Sequence, residues 1–361
     1  MKNNKYSDYK IVFFPEKIQS FLEEKIAAPI YVRVKPINRC DHSCFFCVYS
    51  TGFRKNDREN HIISGMHTDM VHDDILPTEK MLEILEDFRD LGVKAVTYSG
   101  GGEPLMHRDI VKIMQTTLDY GIDLSIITNG QMLKKQRAEV LAHAKWVRVS
   151  IDYTNAQQMA ATRGVSEKNF AMILENLQEF AKIKRRDCDL GINYIIHRDN
   201  YQDIYEFSKI MKDCGVENIR FSPMWVPDLV GYHTPIQDAV YEQLAKAGTL
   251  IDDKFTLNTT YNIQSRSHLP ERSYGKCHFM QIVPVVGADQ VVYACHNKAY
   301  DKTGAIGSIR NQRFRELWFS KAAKQVFDKL NPMEVCRHQC ANDGKNIFIQ
   351  GLVDTNADNF V

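Results

Sequence analysis

Residues 40–47 read Cys-Asp-His-Ser-Cys-Phe-Phe-Cys, three cysteines in eight positions directly after the apolar run PIYVRVKPI (29–37). A structural zinc site takes four protein ligands, usually as two closely spaced pairs. A disulfide takes an even number of thiols. Three local thiols on one loop can wrap one metal centre and leave a coordination position open, where chemistry can take place.

Outward from this stretch, strand-like runs alternate with amphipathic helical segments. The strands are expected at 30–37, 94–99, 123–128, 146–152, 190–197 and 218–225. Between them lie segments such as PTEKMLEILEDFRDLG and QDIYEFSKIMKDCG, with apolar residues at the helical period and glycine at the stop. Six β–α repeats imply a parallel sheet with helical crossovers, α/β in class, either open and doubly wound or a partial barrel. In both, ligands bind at the C-terminal ends of the strands. After about residue 245 the pattern changes. MQIVPVVGADQVVYAC reads as a β-hairpin turning at Gly287-Ala288-Asp289, and NQRFRELWFSKAAKQVFDKL as one helix. The expected organisation is an N-terminal extension (1–29), a core (30–245) and a smaller α+β domain (246–361). The polar insertion at 51–74, with His61, His67 and His72, reads as a solvated loop or a lid.

The 361 residues are 44% hydrophobic and 25% charged, with a formal charge of +1. That balance offers no electrostatic case for a nucleic-acid or membrane partner. The N-terminus lacks the apolar core of a signal peptide, and no apolar run approaches a membrane span. The nine cysteines, an odd number, speak against a disulfide framework and for a reducing, cytoplasmic compartment.

Further motifs fall at the same strand ends. The second strand runs into YSGGGEPL (98–105), the third into TNG (128–130), and the fourth carries VSID (149–152). Consecutive glycines permit close approach of a ligand to the backbone. The cysteine motif, with Phe46 before its last cysteine, together with Gly101-Gly102-Glu103-Pro104, resembles the radical S-adenosylmethionine (SAM) enzymes over residues 30–230. The resemblance implies a partial (β/α)6 TIM barrel. It implies that Cys40, Cys44 and Cys47 hold a 4Fe–4S cluster whose open iron takes SAM. Gly101, Gly102, Glu103 and Pro104 would border the SAM amino group, with Asn129, Ser150 and Arg163 as further contacts. Reductive cleavage of SAM would give a 5′-deoxyadenosyl radical that abstracts a substrate hydrogen, with a flavodoxin- or ferredoxin-type reductant as partner.

A second group, Cys277, Cys295, Cys336 and Cys340, is spaced by 17, 40 and 3 residues. Two such pairs could form a structural zinc site. The layout, with GAIGSIRNQRFRELWFS between the pairs, resembles the SPASM/twitch auxiliary domains and implies one fully ligated auxiliary 4Fe–4S cluster. This points to dehydrogenation of a sugar, aminosugar or cyclitol alcohol, a carbohydrate-like small molecule, with the auxiliary cluster as electron acceptor. A radical epimerase is the alternative, with Cys188 or Cys214 as hydrogen donor if either points into the barrel. Peptide modification is a third option, weighed lower because about 39 residues precede Cys40. A non-catalytic iron–sulfur or zinc protein would explain the thiols but not Gly101–Pro104. Candidates for substrate contact are Tyr98, Asn129, Asp152, Asn193, His197, Met224, Trp225 and His296.

Overall fold

The computed structural model describes residues 7–49, 69–226, 228–263, 272–336 and 340–355. Most of the 51–74 insertion, His61 and His67 included, lies outside the described residues. Six strands follow the expected positions: β1 (Tyr31–Val34), β2 (Ala95–Tyr98), β3 (Asp123–Thr128), β4 (Trp146–Ser150), β5 (Asp189–Ile196) and β6 (Asn218–Pro223). All are parallel and stand in chain order. Parallel neighbours require a crossover, and the helices Thr78–Leu91, Ile110–Asp119, Gln136–Leu141, Lys168–Ile183 and Ile204–Asp213 supply them. The result is the expected partial (β/α)6 barrel, with every strand ending at the same mouth.

Strand periodicity divides the sheet into two faces. Val32, Val34, Val147, Val149, Ile192, Tyr194, Ile219 and Phe221 join one continuous core with helix residues such as Phe88, Met114, Phe180 and Phe207. Their alternates, among them Arg33, Arg148, Asn193 and Arg220, are half-buried and line the concave face.

The sheet continues past both barrel edges. A seventh parallel strand, β7 (Thr256–Thr259), pairs with β6. At the other edge β8 (Val285–Val286) pairs parallel with β1, and β9 (Val291–Tyr293) and β10 (Ala305–Ser308) follow antiparallel. The predicted hairpin is therefore present, and it is annealed to the barrel. The single helix expected over 311–330 is instead two, Phe314–Trp318 and Lys321–Lys329. Ser320 stands between them in an extended conformation, and its hydroxyl caps Ala323 N–H, so the second helix starts anew there.

The C-terminal segment is locked to the barrel by charge. Asp87, fully buried on Thr78–Leu91, accepts from Arg313 Nε at 2.9 Å, from Arg315 Nε, and from Arg315 N–H at 3.2 Å. The Trp318 ring stacks on Phe314, and its Nε1 donates to Ala27 O at 3.0 Å, tying in the N-terminal segment. The two arginines are partly exposed, whereas Asp87 is not. Removing the arginines strands a buried carboxylate, at about 3–5 kcal/mol. Removing the carboxylate leaves two cations that water can reach, which costs less. Urea denaturation is therefore expected to show Arg313→Met/Arg315→Met as more destabilising than Asp87→Ala; the reverse order would contradict this account of the lock.

Candidate active site at the mouth of the barrel

Beyond β1 the chain runs through Lys35 and Asn38 into the cysteine loop. The loop rests on the C-terminus of the helix Ala156–Arg163: Ser43 N–H donates to Arg163 O at 2.7 Å and Phe45 N–H to Thr162 O at 3.1 Å. The Arg163 side chain ties the same loop from inside. Its Nη1 donates to Cys44 Sγ at 3.1 Å, its Nη2 pairs with Asp152 Oδ1 at 2.8 Å and reaches Ser150 O at 3.2 Å, and its guanidinium lies 5.1 Å from the centre of the Phe46 ring. Both partners of the ion pair are almost wholly buried. Burial pushes the Asp152 carboxyl up, against the pull of Arg163.

The glycine run meets this loop from β2. Gly102 N–H donates to Ile37 O at 2.9 Å and Glu103 N–H to Arg39 O at 3.0 Å. A Cβ on Gly101 would come within 2.1 Å of Asn38 Oδ1, and one on Gly102 within 1.9 Å of Arg39 O. The sequence suggested that these glycines make room for a ligand; what presses against them here is the chain's own approach to Cys40. Glu103 is buried and joins three elements. It accepts from Leu105 N–H at 3.1 Å, Thr128 Oγ1 at 2.7 Å and Asn129 N–H at 2.7 Å. The Asn129 amide then reaches Asp41 Oδ1 at 2.6 Å, closing a circuit back to the cysteine loop. His197, at the end of β5, sets its ring edge-on to Phe45 at 5.2 Å. Cys40, Cys44, Cys47, Gly101–Pro104, Asn129, Ser150, Asp152, Arg163 and His197 thus gather at one mouth.

Three candidates do not. Tyr98 points into the helix layer, its hydroxyl 2.7 Å from Thr117 Oγ1, because its place in the strand alternation faces outward. Cys188 precedes β5, at the opposite end of the barrel, with its sulfur against Leu141 O at 3.7 Å. Cys214 closes the helix Ile204–Asp213 on the outer layer, beside Gln178. Neither thiol points into the barrel, the condition on which either could serve as hydrogen donor in the epimerase alternative. Asn193 lies on the concave face opposite Ser150. Met224 and Trp225 follow β6, and Met224 is buried with its carbonyl accepting from His233 Nε2 at 3.0 Å.

Sequence reasoning missed a link between the two cysteine groups. Tyr49 follows Cys47 by two residues and His296 follows Cys295 by one. The Tyr49 hydroxyl lies 3.2 Å from His296 Nε2 and accepts from Lys35 Nζ at 2.8 Å. Lys35 is fully buried, and burial, then Arg33, hold its ammonium well below the usual lysine range. A lysine ending an apolar strand (VRVK) was the available signal.

The four C-terminal cysteines lie within electrostatic reach of one another. Burial and mutual thiolate repulsion push Cys295 up to about 11, and burial pushes Cys340 up to about 12. Cys277 is raised by burial and by Cys295, Cys340 and Cys336. Four neighbouring thiols that resist ionising on their own suit a cationic iron–sulfur group, which is held by thiolates. Among the described residues, no three His, Cys, Asp or Glu side chains stand at the spacing of a single metal ion. The three-thiol loop, with Arg163 donating to one sulfur, suits an iron–sulfur group likewise.

Comparison with known proteins agrees with this donor chemistry. The radical SAM superfamily model matches residues 34–211, and the model of an iron–sulfur cluster-binding domain, SPASM, matches residues 277–341. The chain belongs to the radical SAM superfamily. It carries a C-terminal SPASM domain, and its cofactors are a 4Fe–4S cluster, SAM and auxiliary iron–sulfur. It is 23% identical over 197 residues to the PqqA peptide cyclase of Bradyrhizobium diazoefficiens, covering 54% of this chain and 47% of that protein. It is 29% identical over 196 residues to the GTP 3′,8-cyclase of Listeria monocytogenes, covering 53% of each. The chain spans about half the length of these curated relatives. Among solved structures, Streptococcus suis SuiB bound to precursor peptide SuiA superposes with a TM-score of 0.61 at 16% identity, over 90% of this chain and 73% of that one. Native anSMEcpe with bound AdoMet superposes at 0.56 and 17%, over 83% of each chain. These likenesses show the fold. No helix among the described residues is long and apolar enough to cross a membrane.

Burial pushes the Glu103 carboxyl up to about 7, against the hydrogen bonds from Thr128, Asn129 and Leu105. A carboxyl raised in the folded state stabilises fully below its unfolded value and loses that contribution as pH rises through the folded value. Thermal melts between pH 5 and pH 8 are expected to show stability falling as pH rises toward about 7 and levelling off above it, a decline that Glu103→Gln flattens; equal slopes in the two proteins would contradict it.

Proposed function

We propose that the protein is a radical SAM oxidoreductase that dehydrogenates an alcohol carbon of a polar small molecule, such as a polyol, aminosugar or cyclitol, with the auxiliary cluster as electron acceptor. The observation that carries this reading is the Lys35–Tyr49–His296 contact, which sets the flank of the three-thiol loop directly against the flank of Cys295. A net oxidation needs an acceptor close to the site of hydrogen abstraction, and this contact, between a residue two past Cys47 and the residue after Cys295, supports that arrangement. When bound, the clusters and SAM supply a hydrogen-abstracting radical and an electron sink.

The chain's own residues do the rest. Cys40, Cys44 and Cys47 are the proposed ligands of the SAM-binding cluster, and Cys277, Cys295, Cys336 and Cys340 those of the auxiliary cluster. Arg163 fixes the loop through Cys44 and Asp152. Gly101–Pro104 and Asn129, held by Glu103, form the proposed seat for the polar end of SAM. Phe45, Phe46 and His197 pack against one another at the mouth. The polar concave face, with Asn193 and Ser222 beside the strand ends, orients a hydrogen-bonding substrate.

Peptide modification is the second reading, favoured by the similarity to a peptide cyclase. Anaerobic incubation with SAM, a reductant and separate pools of polyols, aminosugars, cyclitols and linear peptides distinguishes them by mass spectrometry. The proposal predicts 5′-deoxyadenosine coupled to loss of two hydrogens from a small alcohol. Incorporation of solvent deuterium without oxidation would replace it with epimerisation, and turnover of peptide alone with peptide modification. The variant Arg163→Met is expected to lower 5′-deoxyadenosine formation by about tenfold or more, since it strands Asp152 and frees the loop at Cys44.

A further inference from the structure

The concave face of β4, β5 and β6 carries a constellation that the cofactor sites do not use. Its inward residues are Trp146, Arg148 and Ser150 on β4; Asp189, Gly191, Asn193 and Ile195 on β5; and Asn218, Arg220 and Ser222 on β6. Arg148, Gly191 and Asn218 stand side by side across the three strands, and Arg220 stands opposite Asn193, one inward position nearer the mouth. With strands about 4.8 Å apart, the two arginines flank β5 from strands about 10 Å apart, a separation that two long side chains can close onto one group.

Gly191 makes room between them for the Asn218 amide. It has no side chain in the middle of this row, and the Asn218 amide folds over it: a Cβ there would come within 2.5 Å of Asn218 Oδ1. Asn218 is 5% exposed, and neither its Oδ1 nor its Nδ2 has a hydrogen-bond partner among the described residues. A buried amide left without partners costs free energy comparable to a lost hydrogen bond, and such a group in a native structure asks for a ligand or an ordered water. The guanidinium of Arg148 is placed from below, 5.3 Å from the centre of the Trp146 ring. The inward faces of these three strands hold two guanidiniums and one carboxylate, Asp189 at the first position of β5, and each of the three charged groups has interactions of its own.

We propose that Arg148, Arg220 and Asn218, arranged around Gly191, form an anion-recognition subsite that takes a carboxylate or phosphate group of the substrate. The proposal deepens the radical SAM reading of the same barrel and rests on it for the location of the substrate. Guanidiniums bind planar or tetrahedral oxyanions through paired N–H donors, and the Asn218 amide adds a neutral donor from the third side. Anchoring the substrate by an anionic end at this depth would leave its other end toward the mouth, where Cys40, Cys44 and Cys47 lie. The substrate class is thereby narrowed to an alcohol that also carries an acidic group.

The test titrates the anaerobically reconstituted protein with inorganic phosphate and, separately, with succinate, at ionic strength held constant with sodium chloride. Calorimetry gives affinity, and iron content is measured on every sample. The proposal predicts saturable binding of at least one anion, weakened about tenfold or more in Arg148→Met and in Arg220→Met. Preference for phosphate or for succinate assigns the group. Gly191→Ala keeps both arginines but displaces the Asn218 amide, and it is expected to weaken binding as well. It guards against a misfolded arginine variant. Absence of saturable binding in the wild type, or equal affinity in the wild type and all three variants, would overturn the proposal. Anion binding in a protein that takes up no iron would leave the subsite standing and overturn the radical SAM reading of the thiols instead.

Discussion

The buried Arg163–Asp152 ion pair is the constraint on which the rest of the mouth depends. It joins β4, whose end carries Ser150 and Asp152, to the helix that follows it, and from that helix terminus Arg163 reaches the cysteine loop through Cys44. Two charges taken out of water need each other and need their remaining hydrogen bonds met. Arg163 divides its two Nη groups among a carboxylate, a carbonyl and a sulfur, while its Nε has no hydrogen-bond partner among the described residues. Its backbone and that of Thr162 accept the loop's own N–H groups. This pair gives the loop a rigid support, against which Phe46 also packs.

A second circuit performs the same service on the other side. Glu103 binds the strand ends of β2 and β3, and Asn129 passes the connection to Asp41. The glycines at 101 and 102 let the chain before Cys40 lie against them. The cysteine loop is thus held by Arg163 on one flank and by the Glu103 circuit on the other, with its thiols between. The SPASM segment is attached independently, by strand pairing of β8 to β1 and by Asp87 with two arginines, and Tyr49 and His296 meet where the two supports converge.

Much of this was legible in the sequence because it is local. The six strands, their crossovers and the cysteine motif follow from periodicity and spacing over short windows. The mouth residues follow from the rule that parallel strands end together. What escaped is long-range or depends on facing. Tyr98 sits at a strand end, but its place in the alternation turns it to the helices. Cys188 and Cys214 belong to the far end and the outer layer, which their positions before β5 and after a helix already suggested. β7 is four residues long and three of them are polar, so its periodicity is weak. The break at Ser320 hides inside a helical pattern. The Tyr49–His296 contact joins residues 247 positions apart, and no pattern in either segment announces the other.

Two separate groups of thiols are proposed to hold two separate clusters. The most direct measurement is iron and acid-labile sulfide per chain after anaerobic reconstitution of the wild type, the Cys40/Cys44/Cys47→Ala variant and the Cys277/Cys295/Cys336/Cys340→Ala variant. With about four irons per cluster, the account predicts about eight in the wild type and about four in each variant. A wild type with about four irons, or a variant lacking Cys40, Cys44 and Cys47 that holds none, would contradict it.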